Sequence, residues 1–246
     1  MQNYNTNPHK KKRKNRHHRS FGSVMLTIVL CAALCLAGIF AVIYFAGVRY
    51  ITVKVSEDVY VKFLGLVDDD CVSLSNLQRQ ILYTEQEVGQ PKALCAARRL
   101  CQLNSSITIH PYPQRLTAET IDEILCQYDL VVDGCDNFAT RFLINDHCAK
   151  RGIPYVYGGI CGFEGQVSVF PNDGTSRSSY RTLYPDEAAT LAMPHPSKAV
   201  IGVTPGIVGC VEAAEAIKLI CHVGEPLVDR LWTIDLHTMQ TYLIDL

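Results

Sequence analysis

Two groups of polar residues in this sequence have the types and positions needed to bind a charged ligand. Asp68 to Asp70 and Asp133 to Asn137 each follow a short apolar stretch typical of a buried strand. In sheets whose strands alternate with helices, ligands lie beyond the carboxyl ends of the strands. Further along, Arg79 and Lys92 offer a forked donor and a point charge for oxygen anions, and the carboxylate of Asp136 suits Mg²⁺. These residue types favour an anionic ligand that carries a metal.

The elements that must position these residues alternate between strand and helix patterns. This alternation predicts an α/β fold, Rossmann-like, with a mostly parallel sheet and helices on both faces. Residues 177–200 contain several prolines and little periodicity, and we expect a crossover loop there. The predicted strands are 59–67, 107–110, 129–132, 154–157, 166–170, 231–235 and 241–244, and the predicted helices are 91–103, 118–127, 137–150 and 207–222.

Composition and charge restrict the classes of function. A chain of 246 residues with 48% hydrophobic content can form one α/β core and an anchor. From Tyr50 onward there are 15 basic and 24 acidic residues, so this acidic body is a poor match for a nucleic-acid backbone and we expect no nucleic-acid partner. The 11 cysteines form no C-x-x-C pair, which argues against a disulfide framework and a zinc site.

The first 63 residues differ from the rest of the chain. Residues 1–23 include seven Lys/Arg between Lys10 and Arg19 and are expected to form a basic disordered tail, and 24–48 are 25 consecutive uncharged positions. Such a length predicts an uncleaved transmembrane helix, with a buried core helix or an apolar segment that does not insert as the alternatives. Residues 49–63 are a junction, whose alternating start suggests a strand. We expect a membrane-anchored chain with its body in the cytoplasm, although basic flanks would orient the body outward.

Several short motifs of the body resemble those of one enzyme family. They are VDDDCVSLSNLQRQ at 67–80, VGQPK at 88–92, DGCDNFATR at 133–141, GFEGQ at 162–166 and GVTPGIVGCVEAAEAIK at 202–218. In this order and spacing, residues 64–246 resemble the ThiF/MoeB/HesA adenylyltransferases, relatives of the ubiquitin-activating enzymes. The resemblance implies a domain that uses ATP and Mg²⁺ to adenylylate the C-terminal Gly-Gly carboxylate of a ubiquitin-like sulfur-carrier protein of the thiamine or molybdopterin type. It also implies a homodimer.

The resemblance assigns roles to the polar residues. Adenylate formation builds negative charge on the α-phosphate and the leaving pyrophosphate, which cations and a metal stabilise. We therefore expect Arg79 and Lys92 to bind phosphate, Asp136 to hold Mg²⁺, and Asp68 to bind the ribose. Each residue alone has an ordinary alternative, such as a helix cap or a solvated surface cation. The predicted nucleotide-binding set is Asp68, Asp70, Asn76, Arg79, Gln80, Lys92 and Asp136.

The glycines at 158–159 and those that bound 162–165, Gly162 and Gly165, are expected, by the same resemblance, to let the carrier's tail approach the backbone closely, with plain turns as the alternative.

The sequence departs from the family in three ways. The chain lacks the family's first strand and G-x-G-G-x-G loop, so it resembles an N-terminally truncated member. Ser179 and Thr182 stand where many members have the first C-x-x-C pair of a zinc site, so we expect no zinc. Residues 177–200 contain no cysteine, so the chain is expected to stop at the adenylate.

Two alternative functions follow from these departures. A non-catalytic, membrane-anchored scaffold would keep the surface that binds the carrier and lose ATP, because its glycine loop is missing. A nicotinamide dehydrogenase is a weaker alternative, since it too requires a glycine loop and does not explain the set of Arg79, Lys92 and Asp136.

Overall fold

The computed structural model describes residues 50–55, 61–193 and 200–246, the first of these ranges by its backbone. The tail predicted at 1–23 and the membrane helix predicted at 24–48 lie outside the described residues. Within the described ranges, no helix combines the length and the apolar character that crossing a bilayer requires.

Eight strands form one sheet. They are β1 (Tyr50–Val55), β2 (Val61–Val67), β3 (Thr108–Tyr112), β4 (Leu130–Asp133), β5 (Tyr155–Cys161), β6 (Glu164–Phe170), β7 (Arg230–Asp235) and β8 (Gln240–Asp245). Their order across the sheet is β3-β2-β1-β4-β5-β6-β7-β8. The strand suggested at the start of the junction is therefore present, and it is an interior strand that lies between β2 and β4.

The prediction of a mostly parallel sheet is wrong. Among the described strands, β2 with β3 and β4 with β5 are parallel, and the other neighbouring pairs are antiparallel. Short connections explain two of the antiparallel pairs, β5 with β6 and β7 with β8. For example, β5 and β6 are joined through Gly162 and Phe163, with Gly162 at a φ of 58°, and so tight a turn reverses the chain. The slot between β2 and β4 is filled by the antiparallel β1, and the described residues place no parallel strand there.

Six helices accompany the sheet among the described residues: α1 (Lys92–Leu103), α2 (Ile121–Leu125), α3 (Phe138–Arg151), α4 (Tyr180–Leu183), α5 (Glu187–Leu191) and α6 (Val203–Cys221). The first, second, third and sixth were predicted within a few residues. Asn137 caps α3 by accepting a hydrogen bond from the Thr140 amide at 2.9 Å, and Gly152, at a φ of 68°, ends it. Pro205 lies in the first turn of α6, where no amide proton is needed, so this helix begins earlier than predicted. The crossover region carries two short helices, α4 and α5, within the expected loop.

The helices cover both faces of the sheet, as predicted. On one face, α1 and α6 contribute small and aliphatic residues to a core that includes Leu66, Val132 and Val156. On the other face, α2, α3 and α4 pack on Val131, Tyr155 and Tyr157. Alternate residues of β4 and β5 therefore face opposite cores, which holds the carboxyl ends of these strands in fixed positions.

Candidate functional site

The loops that follow β2 and β4 lie at the same edge of the sheet. Tyr50 of β1 pairs with Val67 on one side and with Asp133 on the other. Neighbouring strands are about 4.8 Å apart, so the two loops begin roughly 10 Å from each other. We call this the carboxyl edge, formed by residues 68–70 and 134–137. The topology thus brings the two predicted groups of acidic residues to one side of the molecule.

Lys92 is held at the carboxyl edge by Asp70. Its Nζ donates to Asp70 Oδ2 at 3.1 Å, and its amide donates to the Asp70 carbonyl at 2.9 Å. Lys92 is 5% exposed, and Asp68 beside it is 1% exposed. Asp68 Oδ1 accepts the Asp70 amide at 2.8 Å, which shapes the turn after β2. Three of the predicted residues are therefore joined in one cluster, with the ammonium group buried at the start of α1.

The loop between β2 and α1 contains Asn76, Arg79 and Gln80. Asn76 Oδ1 accepts a hydrogen bond from the Ser73 hydroxyl at 2.7 Å. The backbone carbonyl of Asn76 accepts hydrogen bonds from the amides of Arg79 and Gln80, so Asn76 stabilises the conformation of the loop. Gln80 is 5% exposed, and among the described residues its Oε1 has no hydrogen-bond partner. Arg79 Nη1 donates to the Ser75 carbonyl at 3.5 Å. Within the described ranges, no hydrogen bond or ion pair joins Arg79 to Lys92 or to Asp136.

Asp136 is an exposed residue of the loop that follows β4. Its Oδ1 accepts a hydrogen bond from Asn137 Nδ2 at 3.4 Å. A second acidic group lies across the edge, where one oxygen each from Asp68, Asp69 and Asp70 fall within 4.8 Å of one another. Mg²⁺ takes hard oxygen ligands, commonly one or two carboxylates with phosphate oxygens. The carboxylate oxygens at both ends of the carboxyl edge are ligands of the kind that Mg²⁺ takes.

A buried network around Arg141 was not identified from the sequence. Arg141 Nε donates to Asp133 Oδ2 at 3.0 Å, and its Nη2 donates to the carbonyls of Cys135 at 2.6 Å and Gly158 at 2.9 Å. Tyr155 also donates to Asp133 Oδ2, at 2.8 Å. Burial opposes the charge, yet Asp133 beside it raises the pKa of the Arg141 guanidinium well above its usual value. This network ties the loop before Asp136 to strand β5.

Arg141 also borders a groove next to the carboxyl edge. The groove is a cavity of about 500 Å³ over β5, β6 and β7. Its floor includes Gly159, Gly165 and Gln166, and its walls include Phe138, Tyr184 and Met193. Gln166 Nε2 donates to the Tyr157 hydroxyl at 2.5 Å, which fixes two of the polar groups there. The groove is therefore lined by several aromatic rings and by the buried guanidinium group of Arg141.

Two of the glycines expected at a peptide-binding region have a different reason to be glycine. A Cβ on Gly158 would overlap the Glu212 carboxyl group, and a Cβ on Gly165 would overlap Val208, so both residues allow α6 to pack on the sheet. Gly159 does line the groove. Close packing of a helix, as well as access for a ligand, thus accounts for these glycines.

Glu212 is a second buried group that the sequence did not disclose. It lies on α6, is 1% exposed, and neither of its carboxyl oxygens has a hydrogen-bond partner among the residues that the structure describes. Burial, followed by the charge of Asp133, raises the pKa of Glu212 well above its usual value, although Arg141 acts in the opposite direction. An E-A-A-E-A-I-K helix resembles a solvated surface in sequence, so no local signal marked this position.

Comparison with known proteins places these features in context. The ThiF family model matches residues 31–245, a range that begins inside the apolar segment 24–48. The chain is 46% identical over 176 residues to a sulfur carrier protein adenylyltransferase of Thermus thermophilus, covering 70% of this chain and 65% of the relative. It is 43% identical over 169 residues to the SAMP-activating enzyme E1 of Haloferax volcanii, covering 68% and 62%. The chain thus spans a little under two thirds of these relatives.

The fold is also found among solved structures. The structure of Escherichia coli MccB with ATP superposes with a TM-score of 0.66 at 22% identity, over 75% of this chain and 56% of that one. A structure of PaaA superposes with a TM-score of 0.64 at 14% identity, over 96% and 77%. These structures share the Rossmann-like α/β architecture of this chain.

Proposed function

The chain belongs to the ThiF family, and from that membership we propose that it adenylylates the C-terminal Gly-Gly carboxylate of a small ubiquitin-like sulfur-carrier protein with ATP. Two relatives whose names state the activation of such carriers, at more than 40% identity, support this reaction. The observation that carries the proposal is Lys92, a buried ammonium group joined to Asp70 at the carboxyl edge. A buried cation at the end of a strand is suited to an anionic ligand.

In the proposed reaction, a carboxylate oxygen of the carrier attacks the α-phosphorus of ATP. A bond forms between them, the bond from phosphorus to the bridging oxygen breaks, and pyrophosphate leaves. Lys92 and Arg79 would stabilise the charge that builds on the phosphates. Asp136 would hold Mg²⁺, which offsets charge on the phosphate oxygens when bound. Asp68 would accept the ribose hydroxyls, while Asp70, Asn76 and Gln80 shape the polar lining around them.

The groove is the proposed path of the carrier's tail. A Gly-Gly terminus has no side chains, so it fits a narrow channel beside Gly159 and along the Phe138 and Tyr184 rings, which contact each other. Arg141 lines this channel and also donates to the Cys135 carbonyl, next to Asp136. This arrangement supports delivery of the tail's carboxylate to the carboxyl edge.

A homodimer forms part of the proposal. Leu74 and Ile81 are 66% and 60% exposed, and Ile201 and Val203 are 40% and 51% exposed. Gly202 packs closely on Gln78, so these apolar residues share one region of the surface. A second copy would cover such a patch. Sedimentation of the Ile81→Asp variant tests this, and a dimer that persists would rule out this patch as the contact.

ATP–pyrophosphate exchange tests the reaction. We expect exchange that depends on ATP, Mg²⁺ and a carrier ending in Gly-Gly, and that is lost in Arg79→Ala. Arg99→Ala is the matched control, because Arg99 is an exposed arginine well along α1 from the carboxyl edge. Unchanged exchange in Arg79→Ala would remove Arg79 from the mechanism.

A non-catalytic scaffold is the second candidate. It is favoured by one feature: between β2 and β4 the described residues place the antiparallel β1, and not a parallel strand leading into a phosphate loop. Thermal unfolding separates the two functions. An enzyme that binds ATP is stabilised by about 2.7 kcal/mol at 100 times the Kd, whereas a scaffold binds the carrier with no shift from ATP.

Membrane attachment through 24–48, with the body in the cytoplasm, is also a proposal. Its support is the run of 25 uncharged residues, and the start of the family match at residue 31 favours the alternative that part of this run belongs to the domain. Fractionation of cells that express the full chain decides between them. Extraction by alkaline carbonate would exclude an inserted span.

A further inference from the structure

The positions that correspond to a zinc pair in the family are engaged otherwise in this chain. The Ser179 amide donates to Thr182 Oγ1 at 3.0 Å, and the Ser179 side chain accepts from the amide of Thr182 in return. This reciprocal capping box starts α4. Hydroxyls do not replace thiolates as zinc ligands, and these two already serve the helix. The donor set therefore does not fit a structural zinc ion.

A different group holds this segment in place. Asp229 Oδ1 accepts four hydrogen bonds from residues 176–178: the hydroxyls of Ser176 at 2.9 Å and Ser178 at 2.8 Å, and the amides of Arg177 and Ser178, both at 2.9 Å. A carboxylate that accepts several amide and hydroxyl donors forms a strong, charge-assisted anchor. These partners lie more than 50 positions away in the chain, so the contact joins distant segments.

Asp229 is also fixed by its own backbone. It has a φ of 54°, in the left-handed region, and its carbonyl accepts the Leu246 amide at 2.9 Å. Asp229 directly precedes β7, and Leu246 directly follows β8. One residue thus joins the start of the crossover segment, here defined as residues 176–193, to the outer strands of the sheet.

We propose that Asp229 is a positioning residue that anchors the crossover segment and so sets the wall of the groove, in place of the metal that cysteine-bearing relatives would use. The connection to the groove runs through Tyr180, which is fully buried two residues after Ser178. Its ring centroid lies 5.2 Å from that of Tyr157 and 4.9 Å from that of Tyr184, a residue of the groove wall. Asn145 Oδ1 also accepts the Tyr180 amide at 2.9 Å, so release of Asp229 frees residues 176–178 and removes one of the two supports of this stack.

The anchor is expected to persist over the neutral range. Hydrogen bonds from Ser178 and Ser176 lower the pKa of Asp229 to about 2, from 3.8. A carboxyl group with a lowered pKa contributes stability above its unfolded value and loses it as the pH falls through its folded value. The crossover segment should therefore be sensitive to acid between pH 4 and 2, and insensitive to zinc chelators.

The experiment compares Asp229→Ala with the full wild-type chain. Trypsin cleavage at Arg177 and Arg181 should be faster in the variant. The KM for the carrier should rise about tenfold or more, because a small misplacement of a binding wall is costly, while the KM for ATP changes less than about twofold. Asp173→Ala is the matched control and should behave as wild type, because within the described part of the chain Asp173 accepts hydrogen bonds only from Thr175, two residues away.

Several results decide the matter. Asp229→Asn keeps an acceptor oxygen and should recover part of the carrier affinity. If Asp229→Ala does not fold, the double variant Ser176→Ala, Ser178→Ala removes the hydroxyl donors instead. Wild-type cleavage and KM in these variants would overturn the proposal. The proposal would also be overturned if the purified chain contained about one zinc ion and if a zinc chelator, added in excess Mg²⁺, made trypsin cleavage faster. The KM test rests on the proposed function, but the cleavage test does not, so a chain without exchange activity still reports on the anchor.

Discussion

The carboxyl edge and the groove adjoin each other, yet they are built by different means. At the edge, the contacts join charged groups, such as the buried ammonium group of Lys92 and the carboxylate of Asp70, whose side chain is 44% exposed. In the groove, aromatic rings and strand backbones from distant segments pack together, as Tyr157 and Tyr180 do. A substitution at the edge should therefore lower the activity with little change in the free energy of unfolding. A substitution behind the groove should lower the free energy of unfolding first. Arg141 borders both regions.

The largest effect is expected for Arg141→Gln, because Arg141 borders both regions and its substitution should disturb both. The substitution leaves the Asp133 carboxylate buried without its cation, and loss of one partner of a buried pair costs about 3–5 kcal/mol. Denaturant unfolding measures the loss. Arg151→Gln is the control, because its ion pair with Asp122 is exposed and should contribute at most about 1 kcal/mol. A loss below 1 kcal/mol for Arg141→Gln would show that the network does not support the fold.

Lys92→Ala should separate the two regions. Removal of one charge-stabilising donor lowers a rate by about 10²–10³-fold, so pyrophosphate exchange should fall by that amount. Stability should change little, because Asp70 is 44% exposed and can be solvated in the absence of its partner. Lys150→Ala, an exposed change in the last turn of α3, is the control. Equal exchange in both variants would contradict a role for the edge in chemistry.

Part of this architecture was accessible from the sequence. The helices on both faces were predicted because their apolar residues recur with helical spacing. Asp68 and Asp70 were predicted because they follow a strand end, and Lys92 because its ammonium group is a point charge suited to phosphate oxygens. The direction of β1 was not predicted from the sequence. The strands with which β1 pairs determine its direction, and the alternation of apolar and polar residues does not show which strands those are. Arg141 lay within a quoted motif, but its partner Asp133 and the Gly158 carbonyl are set by packing across the sheet.

Gly158→Ala should affect the packing behind the groove. The added methyl group would meet the Glu212 carboxyl group, and overpacking of a core costs about 1–3 kcal/mol. Glu212→Ala makes room for that methyl group, so the double variant should be less destabilised than the sum of the two single variants. Unfolding of all four proteins gives the coupling energy. Simple additivity would mean that the backbone shifts away and that Glu212 does not require glycine at this position.

Glu212→Gln should give the smallest change in stability. Whether the Tm rises or falls distinguishes a carboxyl group that is buried without a partner from one that is paired. The folded pKa of Glu212 lies well above its usual 4.5, so the folded state holds a proton that the unfolded state releases, and stability falls as the pH rises above 4.5. Glutamine removes this dependence. We expect a Tm higher by about 2–4 °C at pH 8, a change of about 1 kcal/mol, and no gain at pH 4. Glu215→Gln should instead lower the Tm, because Glu215 accepts the Leu227 amide at 2.8 Å and pairs with Lys218. Equal shifts in the two variants would mean that Glu212 has a partner in solution and that its burial carries no cost.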